Sequence, residues 1–91
     1  MDIQELRQKI DAIDEEMVGL FVARMGVSAQ VAEYKKARDL PILVPAREQE
    51  KLLDVAQKAG PEMAEYTQAL YKAIFELSRQ YQAALNDEVQ P

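Results

Sequence analysis

The sequence predicts an all-α fold of three helices per chain, the first of them very long, and three observations carry that expectation. Apolar residues recur at alternating spacings of three and four from residue 3 onward, the period of one helix face. No proline occurs before Pro41, so nothing breaks that run. Ala, Leu, Glu, Gln and Lys outweigh the β-branched residues, and only three Gly occur, a balance that favours helix. With 91 residues and 48% hydrophobic content the chain should fold, but as one domain at most, near the lower limit for a self-sufficient core.

The first helix rests on Ile3, Leu6, Ile10, Ile13, Met17, Leu20, Arg24, Val27, Val31, Tyr34 and Arg38, a heptad seam in which nine of eleven positions are apolar. Residues 2–38 in one helix span roughly 55 Å. A compact chain of this length has a radius of gyration of about 12 Å. Such a helix outruns its own globule, so the seam predicts a homodimer.

A break follows from Asp39 to Val44, bracketed by Pro41 and Pro45, and Ile42-Leu43-Val44 is too short for a sheet. Pro45 suits the first position of a second helix, where its missing N–H costs nothing. That helix is expected to run to about Ala59 with Leu52, Leu53 and Ala56 on one face, and Gly60 closes it. A third helix is expected from Pro61, with the stripe Met63, Tyr66, Leu70, Ile74, Leu77 and Tyr81. Residues 1–85 then form the domain, and 86–91 a polar tail or linker stub.

Composition excludes much chemistry. With no Cys and no His, the chain has no disulfide, thiol nucleophile, Ser-His pair or ordinary zinc site. The Glu-x-x-His pair of carboxylate-bridged di-metal bundles is missing too, so no metal or cofactor is expected. A net charge of −5 argues against nucleic acid. No apolar run approaches the roughly 18 residues of a membrane span. The opening Met1-Asp2-Ile3-Gln4-Glu5 lacks the marks of a secretory signal, so a cytoplasmic protein is expected.

In so acidic a chain the placement of cations is informative. Arg24 occupies a seam position, where an unpaired charge would be strongly destabilising, so a glutamate or a bound anion must meet it. Arg7 and Lys35 belong to the adjoining column Arg7, Asp14, Phe21, Ser28, Lys35, at the edge of the expected partner interface. Singly, each reads as an interhelical salt-bridge residue. Arg47 and Glu48 lie in the first turn of the second helix, where an Arg opposes the helix dipole, and alone they read as a solvated face. Ser78 and Gln82, four residues apart, stack beside the stripe of the third helix and singly mark only its edge.

Taken together, these residues have a precedent. Leu6-Arg7-Gln8-Lys9-Ile10-Asp11-Ala12-Ile13-Asp14 resembles the LRxxIDxID opening of the AroQ-type, all-helical chorismate mutases. The resemblance continues through Ala23-Arg24, Val31-Ala32-Glu33-Tyr34-Lys35-Lys36 and Arg47-Glu48 to Ser78-x-x-x-Gln82. Each motif is weak alone, but all stand in order and register from about residue 5 to residue 85.

The resemblance implies an intertwined homodimer that rearranges chorismate to prephenate, in phenylalanine and tyrosine biosynthesis, without metal or cofactor. It also implies roles. Arg24 and Arg7 are similar to the family's carboxylate-binding arginines, Arg7 coming from the other subunit. Lys35 and Gln82 are similar to the pair that contacts the ether oxygen of the breaking bond. Arg47, Glu48 and Ser78 match further substrate-binding positions, the glutamate meeting the ring hydroxyl and the serine lying near a carboxylate. One position departs: four residues before Glu48 the family commonly has Asp, and here Val44 stands, so weaker hydroxyl recognition is expected. Two other functions share these features. An isochorismate pyruvate lyase of the same fold keeps the arginines and the lysine but tends to lack the Glu after the second-helix arginine. A helical dimerisation module without activity would keep only the seam.

Overall fold

The computed structural model describes residues 2–88, which form three helices and no strand: α1, Ile3–Ala37; α2, Pro45–Ala59; and α3, Ala64–Glu88. α3 packs against both α1 and α2. The molecule is long and thin, 56 × 28 × 14 Å, with a radius of gyration of 16.5 Å. That exceeds the about 12 Å of a compact globule of this length.

Asp2 caps α1, its side chain accepting from the Glu5 backbone N–H at 2.9 Å. At the other end Asp39 takes a left-handed conformation, φ 56°. Leu40 N–H then reaches back to the Lys35 carbonyl and Asp39 N–H to that of Lys36, a Schellman closure made without glycine. α2 begins at Pro45 behind an extended Val44 whose side chain caps nothing. Gly60, at φ 85°, ends it as expected, in a conformation that costs glycine little. α3 starts later than the sequence suggested, because residues 61–63 form a turn in which Met63 N–H bonds to the Gly60 carbonyl. It also continues through Glu88, so the expected polar tail is helical over residues 86–88; residues 89–91 lie outside the described residues.

The small core holds Ala32 of α1, Leu52 and Val55 of α2 and Phe75 of α3, together with buried Ser28, Ser78 and Gln82. It corrects two expectations about faces, on α2 and α3. On α2, Leu52 and Val55 point inward and Leu53 is 70% exposed. On α3 the inward face is Phe75, Ser78 and Gln82, while Tyr66, Leu70, Leu77 and Tyr81 of the expected stripe stay exposed. On α1 the first half of the apolar seam lies open, as the homodimer expectation requires, while Arg24, Val27 and Val31 further along it line a cavity shared with α2 and α3. Every described residue up to Leu20 is exposed, and Ile10 and Leu20 expose 56% and 70% of their surface. The adjoining column turns inward instead, through Phe21, Ser28 and Lys35. The reason lies in helix geometry. Neighbouring columns differ by a fraction of a turn, and only the last half of α1 has α3 beside it to choose between them.

Candidate active site

A cavity of about 480 Å³ opens where the last half of α1, the 38–44 connection, α2 and α3 converge. Its size suits a small-molecule ligand. α1 contributes Arg24, Val27, Ser28 and Val31; the connection contributes Ile42. From α2 come Arg47, Glu48, Lys51, Asp54, Val55 and Lys58, and from α3 Tyr71, Phe75, Ser78, Arg79 and Gln82. Five cations and two carboxylates thus line one cavity of a chain whose net charge is −5. The arrangement favours an anionic ligand.

Arg24 comes to this set from α1. Its guanidinium carbon sits 5.9 Å from the Tyr71 ring centroid and 5.8 Å from that of Phe75. Those rings meet edge to face, at 6.0 Å and 69°. They hold the charge by cation–π attraction and leave the planar fork free to grip a carboxylate. Among the described residues no carboxylate pairs with Arg24 in its own chain. Of the two partners the sequence demanded for it, a glutamate is therefore not supplied by the described residues of its own chain.

Ser78 is buried and shares a 2.7 Å hydrogen bond with Ser28. One hydroxyl hydrogen serves that bond, which leaves the other free to turn toward the cavity. Gln82 is only 6% exposed, yet its amide has no hydrogen-bond partner among the described residues and none of its polar atoms is sealed off. The amide thus keeps its full donor and acceptor capacity for whatever enters the cavity. Glu48 accepts from Arg79 of α3 across the cavity wall. Asp54 accepts from Lys58 at 2.9 Å and Lys51 at 3.3 Å. The Lys58 bond holds its carboxyl below the usual value, against a smaller opposing effect of desolvation. Arg47 reaches Glu50 at 3.7 Å on the surface, a contact worth little.

The structure therefore brings together Arg24, Arg47, Glu48, Ser78 and Gln82. Lys35 stands just behind the wall, its ammonium donating at 2.9 Å to the carbonyl of the wall residue Ile42. Arg24 thus meets α3, and Lys35 the connection, within their own chain. Arg7 is exposed and lies 17 residues before Arg24, roughly 25 Å along α1, outside this cavity. Sequence reasoning missed Arg79, Lys51, Asp54 and Lys58. A signal existed for α2: Arg47, Lys51, Asp54 and Lys58 recur at spacings of four, three and four, a charged face. Arg79 had only its place beside Ser78. Among the described residues no cluster of acids gathers as a metal site, and no helix is long and apolar enough to cross a membrane.

Comparison with known proteins bears on what such a site is for. The chain is 43% identical over 49 residues to the bifunctional chorismate mutase/prephenate dehydratase of Aquifex aeolicus (strain VF5), a match covering 54% of this chain and 14% of that protein. It is 39% identical over 62 residues to the T-protein of Haemophilus influenzae, covering 64% of this chain and 16% of that protein. The chain thus spans only a small part of the length of the relatives it matches. No solved structure gives a significant match. The family model for chorismate mutase type II matches residues 6–83, from the opening motif of α1 through Gln82 on α3. The chain belongs to the chorismate mutase type II family.

Proposed function

We propose that the protein is a chorismate mutase that converts chorismate to prephenate in aromatic amino-acid biosynthesis, acting in the cytoplasm as an intertwined homodimer with sites shared between chains. The observation that carries this reading is the cavity. It combines an Arg24 fork with no carboxylate of its own, a cluster of further cations, and the donors Ser78 and Gln82 facing the same space. Family membership and the name of the Aquifex relative support the same activity.

The chemistry suits these residues. Chorismate carries two carboxylates, a ring hydroxyl and an enolpyruvyl ether, and it rearranges by a concerted [3,3] shift. The ether C–O bond breaks as a C–C bond forms, with no proton transfer, nucleophile or redox partner. The lack of His and Cys is therefore no handicap. Holding the arm over the ring in a near-attack geometry contributes several kcal/mol, and arginine forks suit the task. Arg24 grips one carboxylate, with Ser78 nearby; Arg7 of the other subunit and Arg47 answer the remaining charge. Glu48 accepts from the ring hydroxyl.

Negative charge grows on the ether oxygen as its bond to the ring breaks. Gln82, an amide awaiting a partner, donates from one side, and Lys35 from the other. The Ile42 carbonyl occupies one of the three ammonium N–H groups, which orients the other two. Donors set in place before the reaction stabilise the transition state more than the ground state.

The dimer reading is supported by the exposed apolar residues of α1, which continue into a second groove beside exposed Leu70 and Leu77 of α3. Exposure on that scale is expected of an association surface.

The test is direct. Purified protein is mixed with chorismate, the loss of chorismate absorbance is followed, and the product is identified. Prephenate, formed equally in the presence of a chelator, is the expected result. No reaction with chorismate, or pyruvate and salicylate formed from isochorismate instead, would overturn the reading.

A further inference from the structure

Two carboxylates stand on the wall of a cavity that, on the reading above, takes a dianion. An ionised carboxylate there repels its ligand unless a cation answers it. Asp54 is answered on its own helix, by Lys58 and Lys51. Glu48 is not. Arg47 beside it pairs with Glu50 instead, and among the described residues the ion-pair partner of Glu48 comes from another helix: Arg79 of α3. Both side chains line the cavity and both are part-buried, Arg79 at 34% and Glu48 at 26% exposure.

We infer that Arg79 is a positioning residue of the substrate site, holding Glu48 across from α3 and cancelling its charge so that a dianion can lie against it. Arg79 engages Oε2 of the carboxylate. A carboxylate offers about four lone-pair sites on two oxygens, so Oε1 remains free to accept from a ligand hydroxyl. The cation thus separates two properties that normally come together. Glu48 keeps its power to accept a hydrogen bond and loses its repulsion for anions. A merely structural pair would tie α2 to α3, and its loss would lower the melting temperature while leaving the kinetics of the folded protein alone.

The test compares wild type with Arg79→Met, Arg79→Lys, Glu48→Gln and the double variant Arg79→Met/Glu48→Gln, measuring KM and kcat for prephenate formation. Arg79→Met keeps the apolar stem and removes the charge. It should raise KM about tenfold with kcat within about threefold of wild type, the pattern of lost ground-state binding. Arg79→Lys should recover most of that loss. The decisive variant is the double. The neutral amide that replaces the Glu48 carboxylate can still accept a hydrogen bond but no longer repels an anion, so the KM of the double variant should fall below that of Arg79→Met alone. Circular dichroism at the assay temperature checks folding, and Arg79→Gln replaces Arg79→Met if the latter does not fold. An Arg79→Met KM equal to wild type, or a double variant no better than the single, overturns the inference while the wild-type activity stands. A wild type that makes no prephenate removes both the functional reading and this one.

Discussion

The side chains that line the cavity differ in what already satisfies them, and that difference sorts their roles. Arg24 is held by aromatic faces, Ser78 by Ser28, and Glu48 by Arg79, each with hydrogen-bonding capacity left over. Gln82 has no partner at all among the described residues. Lys35 is the test case, because its bond to the Ile42 carbonyl gives it a structural role beside the proposed catalytic one. If its charge matters only when the ether oxygen becomes anionic, Lys35→Ala should lower kcat by a factor corresponding to roughly 3 kcal/mol or more, as for removal of an oxyanion donor. The fold should persist, because Ile42 lines an open cavity where water can replace the ammonium. An unchanged kcat with a lowered melting temperature would make Lys35 a pin for the 38–44 connection and nothing else.

At the scale of elements, helix ends matter most, because they aim the cavity's side chains. The Schellman turn at Asp39 folds the chain back so that Ile42 meets both Lys35 and the cavity. α2 enters the site at its first turn, where Arg47 and Glu48 lie directly after Pro45 and Ala46. Its cap is poor: Val44 is extended, at φ −126° and ψ 92°, and only its backbone carbonyl serves the first turn, accepting from Arg47 and Glu48. Val44→Asp would place a carboxylate where the first-turn N–H groups of Ala46 and Arg47 point. The substitution should raise stability by about 1 kcal/mol. It should also lower KM for chorismate if an acid here helps hold the ring hydroxyl. Melting curves and steady-state kinetics on one preparation separate the two effects. Greater stability with KM unchanged would leave Val44 a structural variation only.

For the whole molecule the governing fact is shape. A chain 56 Å long and 14 Å thin leaves α1 without cover over its first half, with Ile3, Ile10, Ile13 and Leu20 among the exposed residues. Those residues are expected against a second copy, and light scattering should give about twice the 10.3 kDa chain mass. The same arrangement would bring Arg7, roughly 25 Å from Arg24 along its own helix, into the other subunit's site. Complementation tests this. Arg7→Ala and Lys35→Ala homodimers should both be nearly inactive. After unfolding and refolding in equal amounts half the dimers are mixed, and in each of these one site is intact, so about a quarter of all sites should recover. Mixed dimers verified by mass yet no more active than the parents would mean that Arg7 does not cross the interface.

What the sequence determined by itself is the set of elements and most of the site. The α1 period, Pro45, and Gly60 at a positive φ are local signals, and local signals bounded α1 and α2 to within a residue or so. The resemblance to the chorismate mutases also named Arg24, Arg47, Glu48, Ser78 and Gln82, which the fold gathers around one cavity. Only the tertiary structure decided which face of each helix looks inward. A helix repeats every 3.6 residues on all its faces. The α3 pattern of Met63, Tyr66, Leu70, Ile74 and Leu77 is therefore as regular as that of Tyr71, Phe75, Ser78 and Gln82, and the second of these lines the cavity. The Glu48–Arg79 pair was illegible for the same reason. Its partners are 31 positions apart on different helices, and no spacing rule reaches between helices. Their meeting depends on how α2 and α3 pack, which the cavity-lining faces settle together and no single segment encodes.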